Sequence, residues 1–576
     1  MCGICVSVWR PGNSSSETFQ STHAIAGLRA RNASRGPDNQ NIVRIECPSS
    51  SSTRNPRRSG SLTLECYASE LQLRGSMARK VFNGVEVTSD ENDGSKLFQK
   101  ICGADSGDDI VTILGCLEGP YAFSFYHATS QSLYFGRDPL GRRSLLVHWP
   151  TVHQPCFVLS SVSDGVDDFL FEEVDTKSIF CIRFADIATD ERAFLSLKDR
   201  VRSVSRIPFP SASGLPYAVP GRVNQDVPEA NLPQIHDLDT IPSYLQAPVD
   251  RLISKLDESV RLQVQNIPQR SPGKARLAIL FSGGIDSTAL CYFADRHLPK
   301  DEAIDLLNVA FENPRKVRLQ LEGDPNALPK HLKRECKKQM SNSISTQSHT
   351  SYMVPDRISG LEELEELRLV CPGRTWNFVE IDVPYEETQE AKAVVQSTMF
   401  PSRTVMDFSL ALALWFASRG SGVTRSSLGS NPQPYNSDAL VLLNGLGSDE
   451  LLGGYGRHRS AFNSGGWPAV VEELQLEIDR IPTRNLGRDD RIISSHGKET
   501  RHPFLSLDVV SFLADLPVHH KMDPRLAIGL GDKMLLRLAM RKVGLRLVSS
   551  RKKRAMQFGS HSARMEGERR GDIPLE

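Results

Sequence analysis

Two glycine-rich strings in the second half of the chain each carry an aspartate that could bind a metal ion on a phosphate group. The first string follows the apolar run 277–281 and places Asp286 at the mouth of a turn. A strand that feeds a glycine-rich turn and then a helix makes an anion site, because backbone N–H groups and the helix N-terminus point at the ligand. Asp286 could hold Mg²⁺ there on a polyphosphate, although no Lys-Ser/Thr pair follows the glycines as in the common phosphate loop. The residues of this string are Ser282, Gly283, Gly284, Ile285, Asp286 and Ser287.

The second string, from Asn444 to Tyr455, follows another apolar run and contains Gly445 and Asp449. Asp449 could meet Asp286 across one Mg²⁺, because two carboxylates and phosphate oxygens suit a hard octahedral ion. The alternatives are an ordinary tight strand–helix turn for the first string and simple helix capping by each aspartate. The occurrence of both aspartates after glycine-rich turns favours the metal site.

A cysteine at position 2 could act as a nucleophile. If Met1 is removed, Cys2 carries a thiol and a free α-amine that titrates at about pH 8, so the amine can act as general base for the sulfur. Further along, Asn83 and Gly84 offer a side-chain amide and a backbone N–H, the two donors that an oxyanion hole requires. Cys2 considered alone is more simply explained as a buried cysteine.

Alternating strand and helix patterns must position these residues. In the second half, strands are predicted at 277–281, 304–311, 376–383 and 439–443, and helices at 249–265, from 286 to Pro299, at 360–369 and at 407–418. Strands that alternate with helices imply a parallel, doubly wound sheet that binds its ligand at the carboxyl ends of the strands. In the first half, strands are predicted from Cys2 onward and over 41–45.

The composition excludes several classes of protein. The chain has 576 residues, and its 69 Lys+Arg balance 69 Asp+Glu, so nothing suggests nucleic acid as a partner. The longest apolar run, 410–417, is too short to cross a bilayer and no secretory signal is visible, so no membrane partner is expected. The 11 cysteines lack metal-ligand spacing, which indicates a reducing, cytoplasmic setting.

Taken together, the motifs resemble the asparagine synthetase family. The segments 35–38, 82–84 and 136–141 occur in the order found in a class II glutamine amidotransferase domain. The two glycine-rich strings are similar to those of the family's ATP pyrophosphatase domain, which ligates a carboxylate. Further similar segments are 485–490, 496–505, 533–537 and 553–560, and those at 354–358 and 417–420 point to one branch of the family.

The resemblance implies two domains, one α+β and one α/β. The first is expected to be an N-terminal nucleophile αββα sandwich over 2–190, followed by a Pro/Ser/Gly-rich linker over 191–245. The second is expected to be a doubly wound parallel-sheet ATP pyrophosphatase domain over 246–560, with a mobile insertion at 313–350 and a tail at 561–576.

The resemblance also implies a glutamine-dependent amidoligase. Cys2 would attack the side-chain amide of glutamine, and Asn83 and the Gly84 N–H would hold the oxyanion. Asp93 would bind the glutamine α-amino group; the alternative is that it is a solvated loop acid. The ammonia released would attack a second substrate, a carboxylate activated by ATP as an acyl-adenylate, which is aspartate in the family.

The implied ATP site consists of the first string, Val309 in the next strand and Gly445 in the second string. The implied Mg²⁺ ligands are Asp286 and Asp449. Lys553 matches a lysine that stabilises charge on the adenylate and pyrophosphate, and its alternative is a surface lysine in a basic run.

Three features depart from the family pattern. Val85 follows Asn-Gly where the family has an acid, and the register of the family's glutamine-binding arginine falls near Glu70, with Arg74 about four residues late. Loss of a bidentate clamp on a charged ligand costs about 3–4 kcal/mol, or two to three decades in affinity. Leu446 replaces a glutamate and cannot accept a proton from an amine. These departures favour an alternative, a non-catalytic or ammonia-only homologue that retains the fold and nucleotide binding, and they leave the acceptor open.

Overall fold

Three β-sheets with flanking helices form the described part of the chain, a mixed α/β architecture as predicted. The computed structural model describes residues 2–10, 15–47, 62–71, 93–165, 169–188, 191–206, 219–229, 232–265, 267–269, 271–312, 352–426, 429–565 and 571–575. The insertion predicted at 313–350 lies outside these residues.

Two antiparallel sheets belong to the N-terminal part. Their strands are β1 (Cys2–Trp9), β2 (Asn39–Cys47), β3 (Leu62–Glu70), β4 (Ala122–His127), β5 (Ser132–Arg137), β6 (Leu146–His148), β7 (Cys156–Ser160), β8 (Glu172–Glu173), β9 (Ser178–Arg183) and β10 (Arg202–Ser205). One sheet has the order β2-β3-β1-β7-β6-β8, and the other β10-β9-β5-β4. The helices are α1 (Ser15–Arg35), α2 (Asp93–Cys102), α3 (Gly107–Gly115), α4 (Glu191–Leu195) and α5 (Leu197–Arg200).

Alternating side chains along these strands build three apolar layers. In β1, Cys5 packs in a cluster with Leu28 of α1, whereas Val6 belongs to a second cluster with Phe135 of the other sheet. A third cluster joins the second sheet to α3 through residues such as Leu114. The layers therefore follow the order helix, sheet, sheet, helix.

The N-terminal part extends beyond the boundary expected at residue 190. Strand β10 pairs with β9 at the edge of the second sheet, and buried Arg206 donates to the Arg137 carbonyl at 2.8 Å. The expectation of a linker starting at 191 is therefore wrong for 191–206, because segments of four or five residues carry too little periodicity to be recognised. The described residues 219–229 have no regular secondary structure.

The remaining elements surround the third sheet. The strands are β11 (Leu277–Leu280), β12 (Ile304–Phe311), β13 (Trp376–Val383), β14 (Ser421–Thr424), β15 (Gln433–Asn436), β16 (Val441–Leu443) and β17 (Glu499–Arg501). The helices are α6 (Ser243–Val264), α7 (Ile285–His297), α8 (Pro355–Val370), α9 (Tyr385–Met399), α10 (Val405–Arg419), α11 (Ser448–Leu452), α12 (Gly456–Arg484), α13 (Leu486–Ser494), α14 (Leu507–Asp515), α15 (Val518–Lys521), α16 (Met534–Lys542), α17 (Arg546–Ser549) and α18 (Met556–Gly559). None of the described helices combines the length and the apolar character that crossing a bilayer requires.

The third sheet has the order β15-β14-β13-β12-β11-β16-β17. Strands β13, β12, β11, β16 and β17 are parallel, and β14 and β15 are antiparallel at one edge. The strands predicted at 304–311 and 376–383 are confirmed at both ends. Because the chain passes from β11 to β12 on one side and later returns to β16 on the other, the strand order reverses beside β11. The turns after β11 and β16 therefore share one crevice, where such sheets bind ligands.

Buried ion pairs join the N-terminal part to helix α13. Asp490 accepts hydrogen bonds from Arg35 at 2.6 Å and from Arg143 at 3.0 Å. The next residue, Arg491, pairs with Glu173 of β8 at 2.5 Å. These partners come from sequence positions more than three hundred residues apart, so the interface is part of the tertiary structure rather than of any local motif.

Candidate active site

The first glycine-rich string forms the turn between β11 and α7. Gly283 has φ +71°, in the left-handed region, and packs so closely on α8 that a β-carbon would lie 2.4 Å from the Gly360 nitrogen. The Ser359 hydroxyl donates to the Ser282 carbonyl at 3.0 Å. Only glycine meets both the dihedral and the steric requirement at position 283, so this residue type is needed to hold the turn against α8.

A buried polar network aligns the neighbouring strand ends. The Asn308 amide in β12 donates to the carbonyls of Phe281 at 2.8 Å and Asp356 at 3.0 Å. Arg357 in turn donates to Asn308 Oδ1 at 2.7 Å and to Glu380 at 2.9 Å. Because buried polar groups need such partners, the network fixes the ends of β11, β12 and β13 relative to the start of α8.

Asp286 and Asp449 converge on one buried lysine. Lys533 Nζ donates to both oxygens of Asp286, at 2.8 and 2.7 Å, and lies 2.8 Å from Asp449 Oδ1. The Ser448 hydroxyl donates to Asp286 Oδ1 at 2.5 Å. A β-carbon at Gly445 would lie only 2.8 Å from the Asp286 Cβ, which shows how closely the two glycine-rich turns approach. Adjacent parallel strands therefore bring together two aspartates that are far apart in the sequence.

Charge pairing outweighs burial at this cluster. Burial raises the pKa of Asp449, but Lys533 and Lys553 lower it further, so the net pKa lies below its usual range. Burial lowers the pKa of Lys533, but Asp286 and Asp449 more than compensate, and the net pKa is raised. The pair of Lys533 and Asp449 is therefore charged at neutral pH.

Lys553 lies on the same wall. Its Nζ is 3.4 Å from Asp449 Oδ2 and 4.2 Å from the centroid of the Tyr455 ring. The Arg457 guanidinium lies 4.0 Å from the centroid of the same ring, and the Tyr455 hydroxyl donates to Glu450 at 2.5 Å. With its side chain only 20% exposed, Lys553 is a partly enclosed cation rather than a surface lysine.

Asp286, Asp449, Tyr455, Arg457 and Lys553 line a cavity of about 420 Å³ at the carboxyl ends of the strands. Its wall contains every residue of the second half for which the sequence predicts a role: Ser282, Gly283, Gly284, Ile285, Asp286, Ser287, Val309, Gly445, Asp449 and Lys553. The wall is also basic, with Arg457, Arg484, Arg488, Arg551, Lys552 and Arg554. The structure thus gathers the predicted residues in one place, and their binding roles remain predictions.

The N-terminal candidate site is described in part. Cys2 is the first residue of β1 and pairs with Glu70 of β3. Pro37 forms a bridge to the same Glu70, and the Asp38 N–H donates to its carbonyl at 3.1 Å. The turn at 35–38 therefore lies at the Cys2 end of the sheet. The predicted oxyanion donors Asn83 and Gly84 lie outside the described residues together with Arg74 and Val85, and Asp93 is the first residue of α2.

The chain is similar to proteins of one known family. The sequence model of the asparagine synthase family matches residues 463–572. Asparagine synthetase domain-containing protein 1 of Gallus gallus is 35% identical over 98% of both chains, and that of Homo sapiens is 35% identical over 98% of this chain and 96% of its own. The chain belongs to the asparagine synthetase family. The branch indicated by the segments 354–358 and 417–420 is that of asparagine synthetase domain-containing protein 1, as predicted.

More distant members of the asparagine synthetase family also match. An asparagine synthetase domain-containing protein of Saccharomyces cerevisiae is 30% identical over 86% of this chain and 79% of its own.

A solved structure of the allosteric regulatory enzyme of purine biosynthesis has a TM-score of 0.23 and 13% identity, covering 54% of this chain and 66% of that one. A likeness at that level supports no conclusion about this chain.

Leu446 is the residue at which the family resemblance implies a glutamate. Its N–H donates to Asn444 Oδ1 at 3.1 Å, and its side chain packs against the apolar core while lining the cavity. The turn therefore keeps its local geometry and replaces an acidic side chain by an apolar one on the cavity wall.

The carboxylates fit a magnesium ion in their donor chemistry. Asp286 and Asp449 present hard oxygen ligands, and their convergence on the Lys533 ammonium shows that both can contact one cation. In the described part of the chain, no group of three or more His, Cys, Asp and Glu side chains could hold a metal ion. Phosphate oxygens and water would have to complete an octahedral shell around Mg²⁺.

Two residues at the candidate site were not predicted from the sequence: Lys533, buried beside the two aspartates, and Asp356 on the cavity wall. Lys533 was part of a matching segment, but nothing in its spacing reveals that it contacts both aspartates. Asp356, the second residue of α8, is 5% exposed, and its Oδ2 has no hydrogen-bond partner. Burial raises the pKa of Asp356 to about 7, although Arg554 acts in the opposite direction. The helix was predicted only from residue 360, so Asp356 near the true start of α8 was not recognised as a buried carboxyl.

Proposed function

We propose that the chain is a glutamine-dependent, ATP-consuming amidoligase of the asparagine synthetase type. The observation that carries the proposal is the convergence of Asp286 and Asp449, from two glycine-rich turns, on one cationic centre in a cavity that also contains Lys553. A glycine-rich turn at a helix N-terminus, paired carboxylates and a lysine are the groups needed to bind and polarise a triphosphate.

The residues of the second half would act on ATP and a carboxylate substrate. The turn 282–287 and the N-terminus of α7 would bind phosphate oxygens, and Lys553 would stabilise the negative charge of the departing pyrophosphate. Mg²⁺, held by Asp286 and Asp449, would neutralise phosphate charge when bound. The substrate carboxylate would attack the α-phosphorus, with cleavage of the α–β phosphate bond and release of pyrophosphate.

The nitrogen would come from glutamine at Cys2. The Cys2 sulfur would attack the side-chain amide carbon, releasing ammonia, and water would then release glutamate. Ammonia would attack the acyl carbon of the adenylate, displace AMP and lose a proton to give the amide. Aspartate is the acceptor implied by the family.

The test is a product analysis with the full chain. Purified protein is incubated with ATP, Mg²⁺, aspartate and either glutamine or ammonium, and asparagine, AMP and pyrophosphate are measured. Asp286→Ala should abolish all three products, whereas Asp508→Asn, which changes an exposed residue, should not. Absence of pyrophosphate and asparagine with both nitrogen sources would exclude the proposal for aspartate.

A second candidate is an ammonia-only or non-catalytic homologue that retains the fold and nucleotide binding. Leu446 favours it, because an apolar side chain lines the cavity where the family has a proton acceptor. Exchange of labelled pyrophosphate into ATP, screened over amino acids, shows whether the chain forms an acyl-adenylate and with which amino acid. Exchange with another amino acid identifies a different acceptor, and nucleotide binding without exchange supports the non-catalytic homologue.

A further inference from the structure

Lys533 occupies the position between the two carboxylates that are the predicted metal ligands. Its Nζ lies within 2.8 Å of both Asp286 oxygens and of Asp449 Oδ1. The lysine side chain is 0% exposed, whereas the two carboxylates are 24% and 19% exposed and line the cavity. A divalent cation bound to the same oxygens would lie a few ångströms from the ammonium, and like charges at that distance repel strongly away from bulk water.

The structure holds this lysine in place. Lys533 precedes α16 with φ +51°, in the left-handed region that residues other than glycine rarely adopt. Gly454 packs against it so closely that a β-carbon there would lie 2.5 Å from Lys533 Cε. An unfavourable backbone conformation persists only where its surroundings determine it, so the lysine is a built-in part of the site.

The two aspartates and the two lysines at the centre of the site together carry no net charge. Asp286 and Asp449 contribute two negative charges, and Lys533 and Lys553 two positive charges, with Lys553 3.4 Å from Asp449 Oδ2. A polyphosphate in the cavity adds several negative charges beside the two carboxylates, and these charges compete with the carboxylates for the ammonium. Carboxylate oxygens released from the lysine then become available to a hard cation.

We propose that Lys533 is an internal counter-ion that makes divalent-cation binding at Asp286 and Asp449 depend on a bound nucleotide polyphosphate. Without nucleotide, the ammonium is ion-paired with both carboxylates and excludes the divalent cation. With nucleotide, the negative charge of the phosphates competes for the ammonium and the cation is admitted. The inference rests on the proposed nucleotide site but not on turnover, and Lys533 is a positioning residue in it.

The experiment measures Mn²⁺ binding to the full chain by the electron paramagnetic resonance signal of free Mn²⁺. Titrations are made with and without α,β-methylene-ATP, which resists cleavage at the proposed position. After subtraction of the Mn²⁺ that the analogue binds in solution without protein, wild type should bind Mn²⁺ at least tenfold more tightly with the analogue. Lys533→Met should bind Mn²⁺ without the analogue at least tenfold more tightly than wild type, and this gain should vanish in Lys533→Met/Asp286→Asn.

Lys521→Met is the matched control. Lys521 is another fully buried lysine, but it donates to the Leu513 carbonyl at 2.8 Å instead of to a carboxylate, so its loss should leave the Mn²⁺ affinity of wild type unchanged. Equal Mn²⁺ affinity in Lys533→Met and wild type would overturn the proposal. If Lys533→Met does not fold, the wild-type titrations decide: no difference with and without the analogue would also overturn it. Failure of the amidoligase assay, in contrast, leaves these binding results intact.

Discussion

Replacing Asp490 by asparagine should loosen the contact between the two parts of the molecule. The carboxylate is fully buried and accepts hydrogen bonds from Arg35 at 2.6 Å, Arg143 at 3.0 Å and the Ser144 N–H at 3.0 Å. Asparagine keeps the size of the side chain but removes its charge, so two buried guanidinium groups lose their shared counter-ion.

The depressed pKa of Asp490 and the burial of its ion pairs both indicate how much stability the substitution removes. Burial would raise the pKa of Asp490, but Arg35 and Arg143 outweigh it and lower the pKa from 3.8 to about 2. This depressed pKa corresponds to about 2 kcal/mol of stability, present above about pH 4 and lost as the pH falls through 2. Removing one partner of a buried ion pair costs about 3–5 kcal/mol, because the remaining charge stays buried. The expected loss is therefore about 2–5 kcal/mol.

Urea-induced unfolding at pH 7 measures this loss. Because a chain of this size does not unfold in two states, the midpoint of the first transition is compared, and it should fall by about 1–2 M. The control is Asp508→Asn, which breaks an exposed pair with Lys255 and should cost less than about 1 kcal/mol. Equal midpoints for the two variants would show that the Asp490 ion pairs do not stabilise the interface.

Three further predictions concern the two candidate sites. Gly283→Ala should weaken binding of a fluorescent ATP analogue and lower the urea midpoint more than Gly373→Ala does. Both glycines have positive φ, but of the two only Gly283 packs against backbone. Equal effects of the two substitutions would contradict this steric explanation. Since the pKa of Asp356 is raised to about 7, its contribution to stability should be complete below about pH 4 and disappear as the pH rises through 7. The urea midpoint of wild type should therefore fall between pH 5 and 8, and Asp356→Asn should make this fall smaller. Cys2→Ala should abolish asparagine formation from glutamine and preserve that from ammonium, so parallel loss of both would argue against a separate glutaminase site.

The sequence predicted the elements that have a clear period and the turns that contain glycine. The strands at 304–311 and 376–383 were predicted to the residue, because each is a mainly apolar segment of eight residues. The edge strand β10 was missed, because a four-residue strand with exposed positions has no such pattern.

The tertiary partners of charged residues could not be predicted in the same way. Asp286 and Asp449 were expected to lie close together, and both contact Lys533, because parallel strands end at one edge and both turns contain glycine; their binding of Mg²⁺ stays a prediction. No sequence pattern identifies Lys533 in this way, since its contact with the two aspartates depends on how the N-terminus of α16 packs against both turns. Arg35 and Asp490 likewise meet only because the N-terminal sheets pack on α13.

Helix α13 links the cavity to the interface through four consecutive charged residues. All nine of its residues are buried, an unusual environment for charges, and each charge is neutralised by a partner. Arg488 and Asp489 pair with each other at 2.7 Å and line the cavity, whereas Asp490 and Arg491 bind the N-terminal part. One turn of α13 therefore carries residues of both the cavity wall and the interface with the N-terminal part.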